Sequence, residues 1–491
     1  MKLGLKNTGD TTRQGARIGV RWRIADSWNM RLGYVAQTLH SDDTQYAFKP
    51  LGGDRRALSL QEPSGNDFDG LSATLSGDLG WAHLKINTAV QSHGLDRRYD
   101  ATVATDRFGG AGRTAYDESD SIEALVTEAT LSSQTGGQLN WLVGLFATEY
   151  SHDRTGDVTQ QTPVRLLYEN RRRDHVDETA LYGQAAWALT DRLKITAGAR
   201  VFRLGVETQA VARQAGMIID TLDSTRSDSG IAPKLVIEYA LRDNILVYVQ
   251  GSEGYRAGGF NTGTTSAQPY GVAGGLQPYR QFRSDELVSY EAGTRFRVWD
   301  DRLVMRLALF GIDWRTIQSD RIGTDGLPFT GNIGNARNLG VEGELAWVDG
   351  PWRIDANLMF AEPELDSPDP GFPIPADTSL SGVPNLIANV AARRALIVAT
   401  LPAWVSGSVG YVGASNLIFS ADGRYPMGDY WTSDLAAGID LENWSVSLRL
   451  ENVSGSRANT FAYGNPFLVG VVDVTTPQRP ASLIIGISRR F

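Results

Sequence analysis

The sequence predicts an all-β protein, a transmembrane antiparallel β-barrel with about nineteen strands. Three features lead to this fold: strands of alternating polarity, connections that are alternately short and long, and tryptophans beside the short connections. A helical membrane protein is excluded because the 491 residues contain no run of about 18 apolar residues. Hydrophobic residues (42%) and charged residues (21%) occur in the proportions of an ordinary folded chain, so widespread disorder is not expected.

Strict alternation of apolar and polar residues marks the clearest strands. It is present in NWSVSLRLEN (443–452), RLKITAGAR (192–200) and WRIDANLMF (352–360). Successive side chains of a β-strand point to opposite faces, whereas helical spacing fits none of these windows. Each window therefore predicts a strand with one apolar and one polar face.

Nine short polar turns join these strands in pairs. Asp, Asn and Gly at the turns are typical of tight hairpins. Long polar stretches lie between consecutive hairpins and predict loops. The turn centres are near residues 26, 78, 136, 191, 243, 300, 349, 402 and 442. The predicted loops are 38–67, 92–121, 153–177, 206–228, 253–284, 315–332, 364–382, 414–428 and 455–478.

This alternation of connections distinguishes between two repeating β architectures. Outer-membrane barrels have short periplasmic turns and long extracellular loops. A soluble propeller repeats at a similar length but needs four strands per repeat, where this chain has two. The pattern therefore favours the membrane barrel.

Tryptophan supplies an independent indication of a membrane boundary. Ten of the twelve tryptophans lie within about five residues of a short turn, and amphipathic indoles collect at membrane interfaces. Core tryptophans without regard to turn type are the alternative. The ten are at positions 22, 28, 81, 141, 187, 299, 347, 352, 404 and 444.

The predicted strand count is odd. Nine hairpins and a last strand, ASLIIGISRRF, give nineteen, with 54–61 counted as loop although it could be a further strand. Single-chain bacterial barrels have even counts. The start of the chain also lacks an apolar export signal. We therefore expect a truncated front end, with 1–15 as the remnant of a loop or strand and 16–491 as a partial barrel.

Five stretches between 245 and 491 resemble, in order, the carboxy-terminal barrel of TonB-dependent outer-membrane receptors. SEGYRAGGFN (252–261) resembles a strand end of that family, and the segment 289–318 is similar to its YE-x-G strand and RL hairpin. NIGNARNLGVEGEL (332–345), GVPNLIANV (382–390) and ENVSGSR (451–457) resemble later strands. Residues 16–244 share only the hairpin rhythm.

The resemblance implies a fold and a set of partners. Family barrels have 22 strands, preceded by a plug domain and a segment that contacts TonB, so three strands, the plug and the TonB-contact segment would be absent here. Terminal Phe491, with Leu483, Ile485 and Ile487 on the same face, resembles the signal read by the outer-membrane assembly machinery, although Arg489 departs from it. The implied location is the outer membrane of a Gram-negative bacterium, among its lipid and lipopolysaccharide.

Ligand contacts are predicted from aromatic and arginine side chains, because arginine pairs with carboxylates or phosphates and rings cover apolar ligand surface. A structural or solvated role is the alternative for each residue. The candidates at the mouth are Tyr255, Arg256, Phe260, Asn261, Tyr270, Tyr279, Arg280 and Arg283. A second loop, YENRRRDH, contributes Arg171, Arg172 and Arg173, which could hold an anionic ligand or lipopolysaccharide phosphate.

Other function classes lack support in the sequence. Zero cysteines exclude disulfides and zinc-thiolate sites, and a net charge of −9 argues against nucleic acid. The five histidines lack metalloprotease spacing, so no catalytic residue, metal or cofactor is predicted. His83 is the minimal candidate for a barrel enzyme. By resemblance, we expect TonB-energised uptake of a scarce solute, with an iron-siderophore as the default ligand and a plugless passive pore or surface interaction barrel as the alternative.

Overall fold

The protein is described by a computed structural model over residues 9–134, 136–262, 280–372, 374–419, 425–460 and 464–490. In this part of the chain, nineteen long strands and the two-residue strand Thr378–Ser379 form one sheet in which each long strand pairs antiparallel with its neighbours in sequence. The long strands are β1 (Thr11–Ala25), β2 (Trp28–Ser41), β3 (Ser64–Asp78), β4 (Ala82–Asp100), β5 (Thr114–Ser133), β6 (Leu139–Gln161), β7 (Val164–Ala188), β8 (Leu193–Gln214), β9 (Met217–Arg242), β10 (Ile245–Arg256), β11 (Asp285–Val298), β12 (Leu303–Arg315), β13 (Gly334–Asp349), β14 (Trp352–Pro368), β15 (Leu386–Val398), β16 (Leu401–Val412), β17 (Tyr430–Leu441), β18 (Trp444–Glu451) and β19 (Ser482–Arg489).

Short turns occur at all nine predicted places, at what we call the short-turn end of the sheet. Each turn separates an odd-numbered strand from the next even-numbered one. At the β15–β16 turn, Ala399 and Thr400 both have positive φ (48° and 76°), the backbone geometry of a tight hairpin turn that matches the twist of the strands. The segment 54–61 lies outside the long strands, which confirms the count of nineteen.

Two of the nine predicted long loops are wrong. Residues 153–177 and 206–228 belong to β6–β9, which are 23, 25, 22 and 26 residues long and are joined at the loop end by the pairs 162–163 and 215–216. The outer halves of these strands carry polar residues on their outward face. Apolar alternation is needed only where one face meets lipid, so this polar pattern concealed the strands.

The two faces of the sheet differ in chemistry. On β10, Val247 and Val249 lie at outward positions, and Val249 is 50% exposed. The intervening Tyr248 faces the lumen, the space enclosed by the curved sheet, and donates a hydrogen bond to Glu291 of β11. Exposed outward tryptophans at the short-turn end, including Trp22 and Trp187, mark an interface belt. An apolar outer face and a polar inner face are typical of a membrane barrel.

The sheet has two edges in the described part of the chain. There, β1 pairs only with β2, and β19 pairs only with β18. Both edge strands run toward the short-turn end, so pairing them with each other would be parallel. An antiparallel wall joining β1 to β19 would take an odd number of further strands.

Buried residues concentrate at the loop end. The largest cluster joins the 3₁₀ helix Thr102–Phe108, the tips of β5–β8, Leu327 of the β12–β13 loop, and Phe467, which is 1% exposed and belongs to the 3₁₀ helix Pro466–Leu468. A third 3₁₀ helix covers Lys49–Leu51. Among the described helices, none is long and apolar enough to span a membrane. The loops thus share a common core of their own.

Small two-stranded sheets stabilise the loops. They pair Ala47–Phe48 with Val474–Thr475, Gly259–Phe260 with Gln281–Phe282, Gln318–Ile322 with Pro328–Asn332, and Ser415–Asn416 with Pro426–Met427. The first of these joins the loop after β2 to the loop after β18. The ion pair of Arg457 with Asp54 joins the same two loops. Loop contacts therefore connect the two ends of the strand order.

A buried polar network, which we call the loop junction, completes that connection. Asn465 is fully buried and donates from Nδ2 to Glu62 Oε1 (2.7 Å) and to the Asp100 carbonyl (2.8 Å). Its Oδ1 accepts from the amide of Phe467 at 2.8 Å. Glu62 also accepts from the Asp100 amide and from the Thr44 hydroxyl. One asparagine and one glutamate therefore hold together two loops and the end of β4.

The first prediction concerns Asn465. Asn465→Ala removes both donors and the acceptor, and each buried polar group without a partner costs about 1–3 kcal/mol. We expect the amides of residues 44–62 to exchange with solvent about 10- to 100-fold faster, measured by hydrogen–deuterium exchange. Asn443→Ala, in a short turn at the opposite end, is the control and should leave these amides unchanged. Equal exchange in both variants would contradict the role of the loop junction.

The second prediction concerns pH. Burial raises the pKa of Glu62 above its ordinary value, against the opposing effect of the hydrogen bonds that it accepts. Because folding raises this pKa, the folded state favours the protonated carboxyl group. The loop junction is therefore most stable below the ordinary glutamate pKa and weakens as the pH rises through the raised value. Exchange protection of residues 44–62, corrected for intrinsic rates, should fall as the pH rises above the ordinary glutamate pKa. The same profile in Glu62→Gln would show that another group is responsible.

Candidate functional site at the mouth and inner wall

The glycines after β10 form the predicted corner at the mouth. A Cβ atom on Gly258 would lie 2.6 Å from the Phe282 carbonyl oxygen, and one on Gly259 would lie 2.7 Å from the Phe282 ring. These distances are too short for any side chain. The paired glycines therefore allow the chain to turn closely against the segment that returns to β11.

Two predicted ligand residues beyond that corner are buried. Phe260 packs with Ala210 and Leu222. The Asn261 side chain donates to the Thr330 carbonyl (2.6 Å) and accepts from the Thr330 amide (3.0 Å), like a strand partner. In the structure, both residues anchor the β10–β11 loop to its neighbours.

The predicted arginines of this loop form ion pairs. Arg256 pairs with buried Asp285 and lies 5.2 Å from the Trp314 ring centroid. Arg280 pairs with Asp220 at 2.5 Å. Arg283 is more open, with 65% of its side chain exposed and Nη2 3.4 Å from Asp369 Oδ2. Of this group, Arg283 has the most accessible guanidinium at the mouth.

The other predicted positions lie outside the described residues or near the short-turn end. Tyr270, Tyr279 and Phe491 lie outside the described residues. Arg489 lies 5.3 Å from the Trp444 ring centroid. His83 sits beside a short turn, 3.9 Å from Asp78.

The placement of Arg171, Arg172 and Arg173 on a loop is wrong, because all three belong to β7. Alternation along the strand sends their side chains to opposite faces. Arg172 points inward and bonds to Asp174 and to the Phe260 carbonyl. Arg171 and Arg173 point outward and pair with Asp157 and Asp153 of β6. The three arginines therefore do not form one anion site.

The inner wall contains a group of side chains that we call the lumenal arginine cluster. At its centre, Arg200 of β8 donates to Glu178 Oε1 at 2.5 Å and lies 4.7 Å from the Phe146 ring centroid and 5.8 Å from that of Tyr182. The predicted Tyr255 joins it from β10, donating to Glu178 Oε1 at 2.7 Å. The cluster thus combines one cation, one carboxylate and several rings.

Tyr255 reaches the cluster by passing over β9. Pairing of β10 with β9 ends at Ser252, whereas its pairing with β11 continues to Arg256. The Tyr255 ring stacks on Phe202 of β8, with centroids 3.4 Å apart and planes inclined by 7°. The upper end of β10 therefore leans over the inner face of β9.

The cluster offers an arginine fork and aromatic faces, with one carboxylate, Glu178, already paired to the arginine. An arginine offers five N–H donors in a planar fork and can stack on aromatic faces. Arg200 directs its fork toward Glu178 with both rings nearby, and about 28% of its side chain is exposed. An incoming aromatic anion could share the guanidinium and cover the rings. Alternation in ARVFRLG places Arg200 and Phe202 on the same face, but the sequence did not indicate that Glu178, Phe146 or Tyr255 would meet them.

Comparison with known proteins agrees with this architecture. The family model described as "TonB dependent receptor-like, beta-barrel" matches residues 5–453. The pesticin receptor of Yersinia enterocolitica is 27% identical over 297 residues, which cover 58% of this chain and 40% of that receptor. The chain thus matches less than half the length of this curated relative.

Solved structures show the same fold. The ferric yersiniabactin uptake receptor of Yersinia pestis has a TM-score of 0.82 at 19% identity, covering 98% of this chain and 71% of that one. The ferric-catecholate import receptor Fiu of E. coli K12 has a TM-score of 0.74 at 15% identity, covering 99% and 75%. Because the family model matches most of its length, this chain belongs to the TonB-dependent receptor family, whose β-barrels lie in the outer membrane of Gram-negative bacteria.

Proposed function

We propose that this chain is the barrel of a receptor that takes up a ferric chelate, such as an iron-siderophore, across the outer membrane with energy delivered through TonB. The lumenal arginine cluster carries the proposal. Arg200 lies on the inner wall, 4.7 Å from the Phe146 ring centroid and 5.8 Å from that of Tyr182, and a solute that crosses the barrel would pass it. Two structural neighbours are a ferric yersiniabactin uptake receptor and a ferric-catecholate import receptor, which supports iron as the first ligand to test.

The chemistry of the cluster favours an aromatic, anionic chelate. Catecholate groups are planar and negatively charged when they bind iron. A guanidinium can donate to their oxygens, and the rings of Phe146 and Tyr182 can cover their faces. Arg283 at the mouth, with its exposed guanidinium, would make the first contact. Capture would therefore proceed from Arg283 to Arg200.

Energy and assembly would come from partners that the family resemblance implies. TonB would act through a plug segment, which would block the lumen until contact with TonB displaces or remodels it. The barrel assembly machinery would insert the chain by reading its last strand, β19, whose outward residues include Leu483, Ile485 and Ile487. Insertion and energised gating are thus separate requirements.

A passive pore is the alternative, favoured by the polar inner face of the wall. Planar-bilayer conductance separates the two functions. A ferric-chelate receptor should conduct little and accumulate iron only in cells that contain TonB. A large, steady current from the polypeptide made by the complete gene, with iron entry independent of TonB, would support the pore and refute the receptor.

The third prediction concerns Arg200. Removing a charged hydrogen-bond donor from a binding site costs about 1.5–3 kcal/mol, so Arg200→Gln should weaken ferric-catecholate binding about 10- to 100-fold. Quenching of the purified barrel's intrinsic fluorescence by the ferric catecholate would measure the dissociation constant. Arg306→Gln is the matched control, since Arg306 also pairs with a glutamate, Glu344, at 2.6 Å on the inner wall. Equal affinities of the two variants for the ferric catecholate would show that the cluster is not part of the binding site.

A further inference from the structure

The inner faces of β1 and β2 carry arginines without acidic partners. Outward positions of β1 are apolar and include Val20 and Trp22, so the alternate residues Arg17 and Arg21 face the lumen. Arg31 of β2 lies directly opposite Arg21 and shares its face. Within the described residues, none of these three arginines forms an ion pair. This part of the inner wall therefore carries uncompensated positive charge.

Another inward arginine shows what is missing here. Arg306 of β12 pairs with Glu344 of β13 at 2.6 Å. Arg21 instead donates from Nη2 to the neutral Asn29 Oδ1, at 3.5 Å. Like charges directly opposite each other on adjacent strands repel and destabilise the pair. An anion held between Arg21 and Arg31 would replace that repulsion with two attractions.

A recess in the wall lies beside the opposed arginines. At the next inward position, between Arg17 and Arg21, Gly19 of β1 pairs with Gly33 of β2. A Cβ atom on Gly19 would meet nothing closer than the Leu32 carbonyl oxygen, at 4.0 Å. The wall is therefore bare backbone at this point, with guanidinium groups on both sides along the strand. We call the site of these two glycines the glycine recess.

The spacing of the arginines defines the kind of anion that fits. Arg17 and Arg21 are four residues apart on one face, which is about 13 Å between Cα atoms at about 3.3 Å per residue. One carboxylate or phosphate group cannot bond closely to both ends of that span. A ligand that engages Arg17, Arg21 and Arg31 together must carry more than one acidic group. Because Trp22 belongs to the tryptophan belt, the glycine recess lies in the short-turn half of the lumen.

We propose that the glycine recess binds a small anion with at least two carboxylate or phosphate groups. Arginine forks match the oxygens of both groups in pairs. Arg21 and Arg31 would hold one acidic group between them, and Arg17 would hold a second. Binding requires neither iron nor TonB, so the site stands independently of the ferric-chelate uptake proposed above. The lumenal arginine cluster takes no part in it.

Isothermal titration calorimetry of the purified full chain in detergent tests the proposal with metal-free citrate and tripolyphosphate at one fixed ionic strength. At least one of them should bind about 10-fold or more tightly than monovalent acetate, and the tighter one identifies carboxylate or phosphate as the preferred group. The double variant Arg21→Gln and Arg31→Gln should remove that preference. Gly19→Leu fills the glycine recess without changing any charge and should weaken binding about 10-fold. Far-ultraviolet circular dichroism checks that each variant is folded.

The double variant Arg295→Gln and Arg306→Gln is the matched control. These arginines also lie directly opposite each other on the inner wall, but Arg306 already pairs with Glu344, so this variant should bind the tighter probe as the unmodified chain does. Equal losses in the two double variants would indicate attraction to the diffuse charge of the wall and would overturn the site. Equal affinities of the unmodified chain for acetate and both probes, or undiminished binding by Gly19→Leu, would also overturn it.

Discussion

Every part of this fold depends on one constraint: hydrocarbon offers no partner for a backbone N–H or C=O group. The long strands meet it by pairing with their neighbours in unbroken antiparallel order. Pairing of this kind fixes the direction of each side chain, so outward positions become apolar and inward positions are free to be polar. Within the described chain, the edge strands β1 and β19 are each paired on one side only. There the extracellular loops connect the two ends of the sheet through the loop junction.

The same constraint locates function. Polar and charged groups are excluded from the outward band but are permitted on the inner wall and above the membrane. The lumenal arginine cluster uses the first of these places, and the outward ion pairs between β6 and β7 use the second. Arg172 and Arg173 show how sharply alternation divides the two, since adjacent residues of β7 serve opposite surfaces.

Sequence reasoning recovered what alternation and turn chemistry encode. The nine short turns and nineteen strands are confirmed, and six of the ten tryptophans predicted beside short turns are exposed. It failed for β6–β9 beyond the membrane, where water lies outside the wall and the polar pattern resembles that of a loop. It could not foresee that Phe260 and Asn261 are buried, or that Tyr255 would stack on Phe202, because these contacts depend on how β10 leans over β9. The truncated front end, the missing plug and the assembly role of Phe491 stay predictions.

The most direct test asks whether a ferric chelate occupies the inner wall beside Arg200. The chain has no cysteine, so a single Gln184→Cys change at the lumenal position next to the cluster gives a unique label. With the purified chain in detergent, a polar maleimide should modify this cysteine, and saturating ferric catecholate should slow the reaction several-fold. A modification rate unaffected by any saturating ferric chelate would contradict a chelate-binding lumen.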